Sequence, residues 1–167
     1  MLGRIARRAG SLAGVVVLLS AGVALAAAGG RGTVTETQHE HNVVVLSNPA
    51  AQNPCTGEPG TLTAIAANSV FHVTFFENGD EFWATGTDEG TVTFTPEKPG
   101  GVSASGHFEM WFGEAHNNKN EVEHFVSNFN LRGSDGSHIV VHGSSHLSTN
   151  GSGVVKVNFE EKEVRCG

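Results

Sequence analysis

Nine histidines in a chain of 167 residues are the first chemical signal. His39-Glu40-His41 spaces two imidazoles by two residues, and His138, His142 and His146 recur at intervals of four. On extended backbone such positions share one face. Imidazoles that converge along a strand or across two strands ligate Zn or Cu(II) through their ring nitrogens. His124, His142 and His146 are the metal candidates, with His107, Glu109 and Glu123 placed to add or orient ligands. No His-Glu-x-x-His, Cys-x-x-Cys or calcium-loop spacing accompanies them. The same pattern also suits solvated strand positions and a surface that gains charge on acidification.

Catalysis has less to stand on. His142-Gly143-Ser144-Ser145-His146 sets hydroxyls beside imidazoles but is not a Gly-x-Ser-x-Gly elbow. His107 with Glu109 offers an acid–base pair without a surrounding motif. No catalytic residue is assigned. Trp83, Trp111, His107 and Glu109 fall on the polar side of their segments and are the ligand-lining candidates. An indole there presents apolar area with one N–H donor, whether in a pocket or half-exposed near a loop. The functional expectation is a non-catalytic binding module for a small ligand or an extracellular protein partner. A His-mediated Zn or Cu protein and a barrel isomerase or hydrolase are the alternatives.

The elements that must carry these residues are strands. Apolar residues recur with period two and never with the helical period. Strands are expected at about 33–46, 61–66, 69–77, 81–87, 90–95, 102–114, 121–133, 137–148 and 153–161. A long loop is expected over 48–60. Tight turns are expected at Glu77-Asn78-Gly79-Asp80, Asp88-Glu89-Gly90, Ser134-Asp135-Gly136 and Asn150-Gly151, where Asn, Asp and Gly accept positive φ. Short turns make sequence neighbours spatial neighbours. The fold class is therefore all-β, an antiparallel meander of eight or nine strands. An up-and-down barrel removes the edges and is expected over a β-sandwich.

Alternation assigns the faces. Phe71, Val73 and Phe75 oppose Val70, His72 and Thr74. Phe108, Met110 and Phe112 oppose His107, Glu109 and Trp111. Val155, Val157 and Phe159 are expected on the core side against Lys156, Asn158 and Glu160. One hairpin allows its register to be derived. A two-residue loop at Asp135-Gly136 would place Phe125, Phe129 and Leu131 with His138, His142 and His146. A three-residue loop with Gly136 in the left-handed position places them with Ile139, Val141 and Leu147, a coherently apolar face. Burial selects the second, which sets His124 opposite His146 and Asn128 opposite His142.

Residues 1–28 read as a secretory signal. Arg4, Arg7 and Arg8 precede an apolar stretch from Leu12 to Leu19, and Ala24-Leu25-Ala26 or Ala26-Ala27-Ala28 offers a small-x-small cleavage site. The stretch is shorter than the ~20 residues of a spanning helix, so no membrane anchor is expected after cleavage. Residues 29–167 then form one domain, secreted to the extracellular space. Of the 10 basic residues, those three arginines leave with the signal. The remaining 7 against 17 acidic residues give a net charge of −10. No basic cluster survives, which excludes the electrostatic footprint of nucleic-acid binding. The two cysteines, Cys55 and Cys166, are expected to pair in an oxidising compartment.

Asn53-Pro54-Cys55-Thr56-Gly57-Glu58, Phe71-His72-Val73-Thr74, the Asp135-Gly136 turn, Thr149-Asn150-Gly151-Ser152-Gly153 and the terminal Arg165-Cys166-Gly167 resemble a group of small secreted β-rich actinobacterial proteins. The resemblance implies a secreted β domain with a disulfide and no established activity. In strand count the chain is also similar to lipocalin and allene-oxide-cyclase-like barrels, a likeness of fold alone.

Overall fold

The computed structural model describes residues 32–77 and 81–167; the expected signal segment and the Asn78-Gly79-Asp80 part of one expected turn lie outside them. Eight antiparallel strands form one sheet: β1 (Val34–Glu40), β2 (Val43–Gln52), β3 (Pro59–Phe75), β4 (Phe82–Pro96), β5 (Ala104–Asn117), β6 (Asn120–Gly133), β7 (His138–Asn150) and β8 (Val155–Cys166). From β3 to β8 each strand pairs with the next, and β1 and β2 lie end to end along the other side of β3. The meander expected from the turn spacing is the observed fold.

Beyond β5 running on to Asn117 and β8 to Cys166, the strand boundaries differ from expectation in three further places, each for a local reason. The expected strand 33–46 is split at His41-Asn42. Asn42 adopts φ 57°, a left-handed conformation that asparagine tolerates better than most side chains, so β1 pairs with the far half of β3 and β2 with the near half. The expected Asp88-Glu89-Gly90 turn is mid-strand. A bulge between Ala66 and Asn68 absorbs one extra residue on β3, and β4 runs straight through beside it. Gly90 is required there, because a Cβ would strike the Ile65 carbonyl. The expected 48–60 loop is also shorter, since β2 extends to Gln52 and β3 begins at Pro59.

The β6–β7 hairpin has the derived register. His124 pairs with His146, Asn128 with His142 and Leu131 with Ile139. Gly133 N–H donates to the Ser137 carbonyl at 2.8 Å, leaving a three-residue loop in which Gly136 has φ 90°. Asp135 Oδ1 accepts from the Ser137 hydroxyl and N–H, and these bonds hold its carboxyl below the usual range.

The core gathers at one end of the concave face: Ala64, Ala66, Val92, Phe94, Ala104, Phe108, Leu131 and Ile139, with Phe108 and Val92 fully buried. At this end Cys55, in the turn after β2, is bonded to Cys166 of β8, with Cα atoms 5.9 Å apart. The two cysteines come from opposite edges of the sheet, so the bond draws the sheet into a curl. Among the described residues no ladder joins β8 to β1 or β2, and the expected barrel is not closed by hydrogen bonds.

The disulfide also fixes the parity of β8. Cys166 pairs with Ile139 and shares its concave face, as do Val164 and, farther along, Lys162, Glu160 and Asn158. Val157 and Phe159 therefore lie on the outer face, Phe159 beside His146, which corrects the expectation that they join the core. Val155, beyond the bulge at Lys156, pairs with Thr149 and is exposed.

Candidate functional site

The outer face carries the chemistry. Because the ladders are continuous from β3 to β6, residues on four strands form transverse rows. One row reads Val70, Thr87, Trp111, Val126; its neighbour reads Asn68, Glu89, Glu109, Asn128. Between them lies a groove of about 440 Å³ lined by all eight residues, with Asp88 and Met110. One wall is mostly apolar and the other is a line of amides and carboxylates.

Trp111 is held in place. Its ring lies over Gly113, where a Cβ would come within 2.9 Å of the six-membered ring. His124 meets it edge-on at 5.3 Å between ring centroids. The indole remains 38% exposed. A histidine bonds the amide at each end of the polar wall. His41 Nδ1 donates to Asn68 Oδ1 at 3.1 Å, and His142 Nδ1 donates to Asn128 Oδ1 at 2.7 Å. Asn68 Nδ2 in turn donates to Glu89 Oε1 at 2.8 Å.

Of the four ligand-lining candidates, Trp111 and Glu109 line this groove. His107 sits on the same face between Thr91 and Asn130, outside the lining, and Trp83 stands edge-on to His72 beyond it. Of the three metal candidates, His124 and His146 come together with ring centroids 5.6 Å apart. His142 lies four residues along β7, and its Nδ1 is already engaged by Asn128. The lining residues Asn68, Val70, Thr87, Glu89 and Val126 are not among the candidates expected from sequence. For those on β3 and β4 the only signal is the register of these two strands, which the bulge at Ala67 conceals; Val126 joins the row through the pairing of β5 with β6.

A second polar cluster lies on the concave face, away from the core. Carboxylate oxygens of Glu114, Glu121 and Glu123 fall within 4.8 Å of one another, and Glu114 pairs directly with Glu123 across β5 and β6. Burial first, then the charges of Glu123 and Glu121, push the Glu114 carboxyl above its ordinary 4.5, with His116 opposing. A carboxyl raised in the folded state loses stability as pH climbs through that raised value. Glu114→Gln is therefore expected to stabilise the protein by about 0.5 kcal/mol near neutral pH, the scale of a cross-strand like-charge pair. In urea unfolding followed against pH, the gain disappears below the ordinary value of 4.5. A gain independent of pH would show that charge is not its source.

Comparison with protein-family models, curated proteins and solved structures returned no match to this chain.

Proposed function

We propose that this chain is a secreted, non-catalytic binding module whose ligand site is the outer-face groove at Trp111. The observation that supports the reading most is the immobilised, part-exposed indole. It is packed over Gly113 and against His124, beside a row of hydrogen-bonding side chains that are themselves held in position. A site of this kind orders few groups on binding, which lowers the entropic cost of capture. The Cys55–Cys166 bond is compatible with an extracellular location.

The test does not require the ligand to be identified first. A library of small extracellular metabolites is screened by thermal shift against the parent and Trp111→Ala proteins. Compounds that raise the parent's Tm and leave the variant unmoved are the expected result. A library whose stabilising compounds act equally on both proteins contradicts the reading. A second reading, Zn or Cu binding, is favoured by the direct opposition of His124 and His146. Adding either ion to the same screen tests it, since the shift should be lost in His124→Ala.

A further inference from the structure

Strand β8 is the least covered element of the sheet. It pairs with β7 along one side, and among the described residues nothing pairs with its other side. From Val155 to Glu163 every residue is exposed. A free edge of this kind presents unpaired N–H and C=O groups to any strand that can align with it. Val157 and Phe159 add an apolar strip on the outer face at that edge, and the rest of the fold leaves both uncovered.

The side chains of β8 select the strand that fits. Two copies joined edge to edge by a twofold axis run antiparallel and keep their outer faces on the same side. Their symmetric registers differ in which residue lies opposite itself. Centred on Glu160, Glu161 or Lys162, the pairing opposes a charge to its own copy. Centred on Phe159, it opposes Lys156 to Lys162 twice. Centred on Val157, it sets Phe159 against Val155, which lies on the concave side beyond the bulge. Centred on Asn158, it sets Val157 against Phe159 of the second copy on the outer face, and Lys156 against Glu160 of the second copy, each pair occurring twice. Apolar and opposite-charge pairs directly across a ladder stabilise it, and like charges there weaken it.

We propose that two copies of this protein associate through β8, antiparallel about Asn158, so that their sheets become one. The matched stretch from Lys156 to Glu160 is short and ends at the bulge, so the association is reversible, with Kd on the order of 100 μM.

Sedimentation velocity of the disulfide-bonded protein, from about 10 μM to 1 mM, reads this directly. A monomer–dimer equilibrium is expected. Lys156→Glu sets acid against acid at both contacts, and Glu160→Lys sets lysine against lysine. Each variant alone should weaken dimerisation at least about tenfold. Both side chains are exposed, so unchanged urea midpoints confirm that the variants fold. The two single variants mixed in equal amounts should recover the parent's affinity, because every contact again pairs opposite charges. The variant carrying both changes should recover it for the same reason. Only the register centred on Asn158 opposes these two positions.

A monomer at 1 mM protein, a dimer that neither single variant weakens, or a loss that mixing does not restore overturns the proposal. Growth beyond the dimer with rising concentration also overturns it, since that result assigns the edge to β1 or β2 of the next copy in an open chain.

Discussion

Replacing Cys55 and Cys166 together with serine is expected to lower stability by about 4–5 kcal/mol. The two residues are 111 positions apart, so the bond closes a loop that spans most of the described chain. Cross-linking a chain at that separation removes much of the unfolded ensemble's freedom. A native-state effect adds to this. The bond joins the two edges of a sheet that no ladder closes, and it holds Ile139 and the end of β8 over the core. Urea unfolding of the oxidised parent and the double variant measures the difference. The midpoint should fall sharply, and the slope should rise because the uncross-linked unfolded state exposes more surface. A loss below about 1 kcal/mol would mean that packing alone maintains the curl.

Phe108→Ala is the second large effect, expected at about 3–5 kcal/mol. Phe108 is fully buried, stacks on Phe129 with centroids 6.1 Å apart, and pairs with Gly90 on β4. A glycine opposite leaves the ring as the filler of that stretch of the concave face. Its neighbours Ala66, Val92 and Leu131 are too short to close the space that truncation leaves. Phe129→Ala, at a half-buried position, should cost clearly less in the same assay. Because Phe108 and the disulfide support the same end of the sheet, the combined variant should depart from additivity.

The uneven legibility of the sequence has physical causes. The β6–β7 register follows from Gly136 and from one apolar face that only a single pairing makes coherent, so burial and turn chemistry agree. The passage through Asp88-Glu89-Gly90 misleads because the same glycine that suits a turn is also required where a bulge brings another backbone close. In β8, both parities of Val155 to Arg165 put some apolar side chains outward, and only the tie of Cys166 to Cys55 selects one. Trp111 and Glu109 are visible as polar-face residues. The groove is not, because it needs four strands in register, and a one-residue slip at Ala67 would move Asn68 off that face.

Ligands are expected to meet this protein on the outer face at Trp111. The most direct test is a backbone and indole 1H–15N spectrum of the folded protein, recorded with a mixed library of small fragments. Shifts should concentrate on Thr87, Glu89, Glu109, Asn128 and the Trp111 indole N–H, while Trp83 and the concave residues around Phe112 and Phe125 stay in place. Shifts gathered on the concave face, with the Trp111 indole unmoved, would contradict it.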